Sequence, residues 1–63
     1  MRQPDLNRVG RALYHIEAAK VILENIKWEN TNMMESSLLQ QAKFTMDTAV
    51  FYLKDIENIQ KHD

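Results

Sequence analysis

Six apolar residues, Leu39, Ala42, Met46, Ala49, Leu53 and Ile56, follow one another at steps of three, four, three, four and three. Steps of this kind put every side chain on one stripe of an α-helix and define a heptad seam. Large and small residues alternate along the stripe. A seam of this form requires partner helices packed close against it, so the chain is constrained to a helical bundle.

The first half carries a matching seam. Leu6, Val9, Leu13, Ile16, Leu23 and Ile26 recur at helical spacing, with Ala12 and Ala19 beside them. Lys20 occupies a seam position, where its methylenes are expected to lie along the core with the ammonium in water. Pro4 suits the first turn of a helix, and Asp5 places negative charge at the positive end of the helix dipole. Residues 1–3 are expected to fray. The polar stretch Glu29-Asn30-Thr31-Asn32 is the one turn candidate, its two Asn being tolerant of left-handed backbone. Asn32 followed by Glu35 fits a capping box. The expected domain is a single hairpin over residues 1–63, with helix 1 at about 4–29, a turn at about 30–32 and helix 2 at about 33–61. A turn this short makes the helices antiparallel.

Ala12 and Ala19 are seven apart, as are Ala42 and Ala49, and these rows are expected to let the two helices approach closely. Gly10, near that contact, points the same way, because a mid-helix glycine costs about 1 kcal/mol relative to Ala. The core is assigned to Leu13, Ile16 and Leu23 with Leu39, Ala42, Met46, Ala49, Leu53 and Ile56. Helix 2 is also apolar beside its seam, at Leu38, Tyr52 and Ile59 on one side, in a row that includes Thr45, and at Val50 on the other. That arc is too wide for one partner helix. The chain has no cysteine and only 63 residues, so packing alone must hold it together. Oligomerisation is the usual remedy in a chain this small. The fold class expected is therefore all-α, an antiparallel hairpin that dimerises with a second copy into a four-helix bundle.

In length, turn position and alternation of small and large core residues the chain resembles the Rop family, plasmid-encoded homodimers of helical hairpins. Small hairpin proteins of viruses and phages share that architecture. The resemblance spans nearly the whole chain as a pattern of architecture and core, without an alignable motif. It implies a homodimer and an RNA-binding face of polar and aromatic residues, a role to which no residue here is carried over. It would also suit a plasmid, phage or viral accessory protein.

Function is sought off the seam. Tyr14, Ala18, Val21 and Trp28 form a stripe roughly 130° from the seam of helix 1 at 100° per residue, and Phe44 and Phe51 lie almost opposite the seam of helix 2. Exposed aromatic rows mark binding surfaces, so Tyr14, Trp28, Phe44 and Phe51 are the candidate contacts to another protein. Arg8, Arg11 and His15 fall at spacings of three and four, and with Arg2 they form a basic cluster suited to a nucleic acid. The formal charge of −1 does not indicate a general polyanion-binding surface. Residues 1–20 hold four basic and two acidic groups, and residues 21–63 hold four basic and seven acidic. Antiparallel packing is expected to bring the basic start against the acidic end.

No catalytic, cofactor or metal site is expected. His15 has Ala12 and Arg11 at the positions where a bundle metal site needs a carboxylate, and His62 lies next to the C-terminal residue. Ser36 and Ser37 suit the first turn of helix 2 without a nucleophilic role. No apolar run approaches the roughly 20 residues that span a bilayer, and the start lacks the apolar core of a signal peptide. Mixed acidic residues argue against an amphipathic membrane helix. A small cytoplasmic adaptor is the reading these features favour, acting in the host cytoplasm if viral, with a nucleic-acid-binding regulator as the alternative.

Overall fold

Arg2 takes an extended conformation, and its carbonyl accepts the backbone N–H groups of Asp5 and Leu6 at 3.1 and 2.9 Å. The first helix thus begins one residue before Pro4. The computed structural model describes residues 1–61, so the expectation for His62 falls outside the described residues. Two helices make up the fold: α1 over Gln3–Glu24 and α2 over Met33–Lys61. Among the described residues there is no strand. The α-carbon trace measures 47 × 14 × 12 Å, a rod two helices wide. At the chain start, Met1 and Arg2 lie outside the helix, and the exposed terminal amine of Met1 donates to Gln60 Oε1 at 3.0 Å.

The first helix is shorter than its periodicity predicts. It ends at Glu24, and Asn25 and Ile26 donate backwards to Ile22 and Leu23 at 3.2 and 3.1 Å, a tightened last turn. Asn25 competes for its own backbone hydrogen bonds and is a poor residue for a helix interior. Lys27 is extended, and Trp28–Asn30 form a single 3-10 turn. The connection therefore runs over 25–32 rather than 30–32. It needs no left-handed backbone, since no described residue has positive φ.

Thr31 holds the connection to both sides. Its hydroxyl donates to the Trp28 carbonyl at 2.9 Å and shares a 2.6 Å hydrogen bond with the Ser36 hydroxyl. The capping box at the start of α2 forms as expected. The Glu35 N–H donates to Asn32 Oδ1 at 2.8 Å, and the Asn32 N–H donates to Glu35 Oε1 at 2.9 Å.

The helices pack against each other along the two seams. Leu13 and Val50 are the buried hydrophobic residues. Ile16, Leu23, Leu39, Ala42, Met46, Ala49, Leu53 and Ile56 are only half-buried. Val50, placed beside the seam from sequence, faces α1 more squarely than any residue assigned to the seam of α2. One helix cannot cover so wide an arc, and the seam residues turned away from α1 remain partly in water.

The alanine rows and Gly10 do not act as expected. Ala12 is exposed, and Ala19, Ala42 and Ala49 are half-exposed. A methyl group on Gly10 would lie 3.6 Å from Glu57 Oε2, ordinary contact with the end of a side chain. The helix contact therefore does not require glycine there.

Candidate interaction surfaces

The interhelical contact divides the rod into two flanks. Lys20, expected to send its ammonium into water, forms an ion pair with Asp47 across the helices, and its side chain is 24% exposed. The bond to Asp47, above all, raises the Lys20 pKa above its ordinary 10.5; partial desolvation opposes the rise, and the charges of Asp47, Glu24 and Glu17 add to it. Lys54 and Glu17 approach to 3.8 Å on the same side. At about 100° per residue, Tyr14 and Val21 fall on this ion-paired flank of α1.

The opposite flank is apolar along α2. On α2 it carries Leu38, Ala42, Thr45, Ala49, Tyr52, Ile56 and Ile59 at alternating steps of four and three, with no charged residue in the row. On α1 it carries Ala12, Ala19 and Leu23, with the exposed Asp5–Arg8 ion pair in line with the two alanines. The two alanine pairs thus share one face of the hairpin instead of meeting inside it. The exposed residues of the α2 row are Leu38, Thr45, Tyr52 and Ile59.

The four aromatic candidates are all at the surface: Tyr14 at 72% exposure, Phe44 at 67%, Phe51 at 63% and Trp28 at 62%. They do not converge. Tyr14 lies on the outer side of α1 and stacks edge-on with His15, ring centres 5.6 Å apart. Phe44 and Phe51 lie on the outer side of α2, two helical turns apart. The Phe51 ring meets that of Tyr52 edge-on at 5.9 Å. Trp28 leaves the α1 stripe altogether, because α1 ends at Glu24 and Trp28 belongs to the connection. There it lines a pocket of about 50 Å³ with Leu23, Ile26, Leu39 and Lys43, room for a water molecule or two. Sequence reading passed over the exposed Ile22, Met33 and Met34 at this end of the rod.

The basic candidates share the outer face of α1 without forming a free cationic patch. Arg8 is committed to Asp5 at 2.9 Å. Arg11 and His15 line an open groove with Tyr14 and Gly10, and Glu57 from α2 enters it. Arg2 stands at the head of α1. Among the described residues, no three His, Asp or Glu side chains are grouped where they could hold a metal ion. No helix among the described residues is long and apolar enough to cross a membrane.

Charge separates by end of the rod. The half at the chain termini, residues 1–15 and 51–61, has five basic and three acidic side chains, a net of +2. The half at the connection, residues 16–50, has three basic and five acidic, a net of −2. Of the expected compensation between the start of α1 and the end of α2, the described residues show Glu57 beside Gly10 and Arg11. Residues 51–61 balance Lys54 and Lys61 against Asp55 and Glu57, and the acidic excess sits at the connection.

Fold and surfaces together place the chain among two-helix antiparallel hairpins. Comparison with known proteins narrows this no further: no family model, curated protein or solved structure matches the chain.

Proposed function

We propose that this protein is a homodimer of hairpins, a four-helix bundle when paired, that serves as a small adaptor. In this reading it presents Phe44 and Phe51, with Tyr14 and Trp28 as further contacts, to another protein in the cytoplasm. The observation that carries the dimer is surface area. The chain exposes 5322 Å², whereas a compact monomer of its 7.5 kDa mass exposes about 4,200 Å². The excess of about 1,100 Å² is comparable to the roughly 800 Å² that each partner gives up in a stable interface. Phe44 and Phe51 lie exposed on one outer row of α2, two helical turns apart, and this row supports the contact surface.

A Rop-like, RNA-binding regulator is the second reading, and Arg11, His15 and Tyr14 around one groove favour it. Against it, Arg8 is held by Asp5, and Glu57 adds negative charge to the same groove.

The test pairs sedimentation with capture. Wild-type protein should sediment at twice 7.5 kDa at micromolar concentration. The double variant Phe44→Ala/Phe51→Ala should keep that mass and its helicity while losing a protein that the wild type retains. Loss of the dimer in the double variant would assign the rings to the core and overturn the adaptor reading. Binding of structured RNA that weakens steeply with salt would favour the second reading instead.

A further inference from the structure

We propose that the open groove over Gly10 is a binding site for a small zwitterion, an α-amino acid with an aromatic side chain. The inference goes beyond the adaptor and homodimer readings and depends on neither.

The groove begins with an anomaly in α1. Gly10 lies inside the helix, where glycine costs stability, and the contact with α2 does not require it. A Cβ there would come no closer to α2 than 3.6 Å, from Glu57 Oε2. The missing side chain instead leaves a notch between Leu6 and Tyr14, one helical turn before it and one after. A local rule broken without a gain in packing marks a position that serves binding. The groove containing this notch measures about 650 Å³, inside the range of roughly 300–1,000 Å³ found for small-molecule sites.

Its walls differ in chemistry. Leu6 and Tyr14 supply apolar surface, and His15 meets the Tyr14 ring edge-on with ring centres 5.6 Å apart. The face of Tyr14 suits offset stacking of a second ring. Arg11 and His15, one turn apart on α1, line the groove, and Glu57 enters it from α2. Among the described residues, neither Arg11 nor Glu57 forms an ion pair. Glu57 is half-buried there, and a carboxylate withdrawn from water is stabilised by a cationic donor. The Arg11 guanidinium presents a fork that fits a carboxylate.

This pairing of opposite charges selects the ligand. A polyphosphate gains from Arg11 and loses to Glu57. A molecule with one charge of each sign gains from both. Its carboxylate meets Arg11, with His15 as a further donor, its ammonium meets Glu57, and its ring lies on Tyr14 over Gly10.

L-Phenylalanine, phenylpropionate and phenethylamine share one ring and carry both charges, the carboxylate alone and the ammonium alone. Titrated into the isotope-labelled full chain, L-phenylalanine should shift the amide signals of Gly10 and Tyr14 saturably. Each singly charged analogue should bind about tenfold more weakly. Glu57→Gln should erase the preference over phenylpropionate, and Arg11→Gln the preference over phenethylamine. Gly10→Ala should weaken L-phenylalanine about tenfold, in a chain that folds at least as well. No saturable shift up to about 10 mM would overturn the site. Equal binding of the three ligands would overturn the zwitterion assignment, and unchanged binding by Gly10→Ala would remove the notch from the site and overturn the inference. None of these outcomes bears on the sedimenting mass, so failure here is distinct from failure of the homodimer reading.

Discussion

Two residues depart from what their positions along the seam imply, and each leads to a measurement. Gly10 sits inside α1 with room for a methyl group beside the movable Glu57 carboxylate. Gly10→Ala should stabilise the protein by up to about 1 kcal/mol, by removing chain entropy from the unfolded state and by better helix propensity. A raised urea midpoint at unchanged slope is the expected result. Lys20 is bound to Asp47, and its folded pKa lies above the ordinary 10.5. A group whose pKa is raised on folding contributes stability that is complete below the unfolded value and is lost as pH rises through the folded one. The stability curve should therefore fall above about pH 10.5, and Lys20→Met should flatten that alkaline fall. The sequence placed Lys20 on the seam correctly but could not supply its partner, because Asp47 is brought opposite it only by the register of the two helices.

The elements differ in how much of them local chemistry fixes. The start of α2 is written in four consecutive residues: Asn32 and Glu35, three apart, satisfy each other's backbone N–H groups without any tertiary contact. Asn32→Ala should cost about 1 kcal/mol of stability, read as a lower urea midpoint with little change in the helical signal of the folded protein. The end of α1 is written less clearly. No Gly or Pro follows Glu24, and apolar spacing continues through Ile26, so periodicity alone extends the helix too far. What stops it is the tightened turn at Asn25 and the Thr31 hydroxyl, which ties the Trp28 carbonyl to Ser36. Trp28 was consequently placed on a stripe with Tyr14 to which it does not belong. The seam of α2 was legible along its length, and all six of its residues are half-buried. Its rotation was off by part of a turn, since Val50 is the residue that α1 buries.

At the scale of the whole molecule, a single hairpin does not complete a core. Leu13 and Val50 alone are too small a buried set for 63 residues to balance the ordering entropy of the chain, roughly 1.5 kcal/mol per residue. A fold completed by a second copy should melt and unfold in a concentration-dependent way. Each tenfold rise in protein concentration should add about 1.4 kcal/mol per mole of dimer to its apparent stability. A urea midpoint that stays fixed from 1 to 100 times a starting concentration of about micromolar would mean that the hairpin stands alone.

The sequence by itself determined two helices, their antiparallel pairing and the start of α2, because heptad spacing and capping chemistry act over a few neighbouring residues. It also marked Tyr14, Trp28, Phe44 and Phe51 as residues that a hairpin leaves in water. The tertiary structure decided the rest. Whether the alanine pairs face each other or share a flank depends on how far each helix is rotated about its axis, which spacing leaves open. Which charges meet depends on the level at which α1 passes α2, and that level is set by where the connection begins. The placement of both interhelical ion pairs on one flank, and the separation of charge between the two ends of the rod, exist only once those two quantities are fixed.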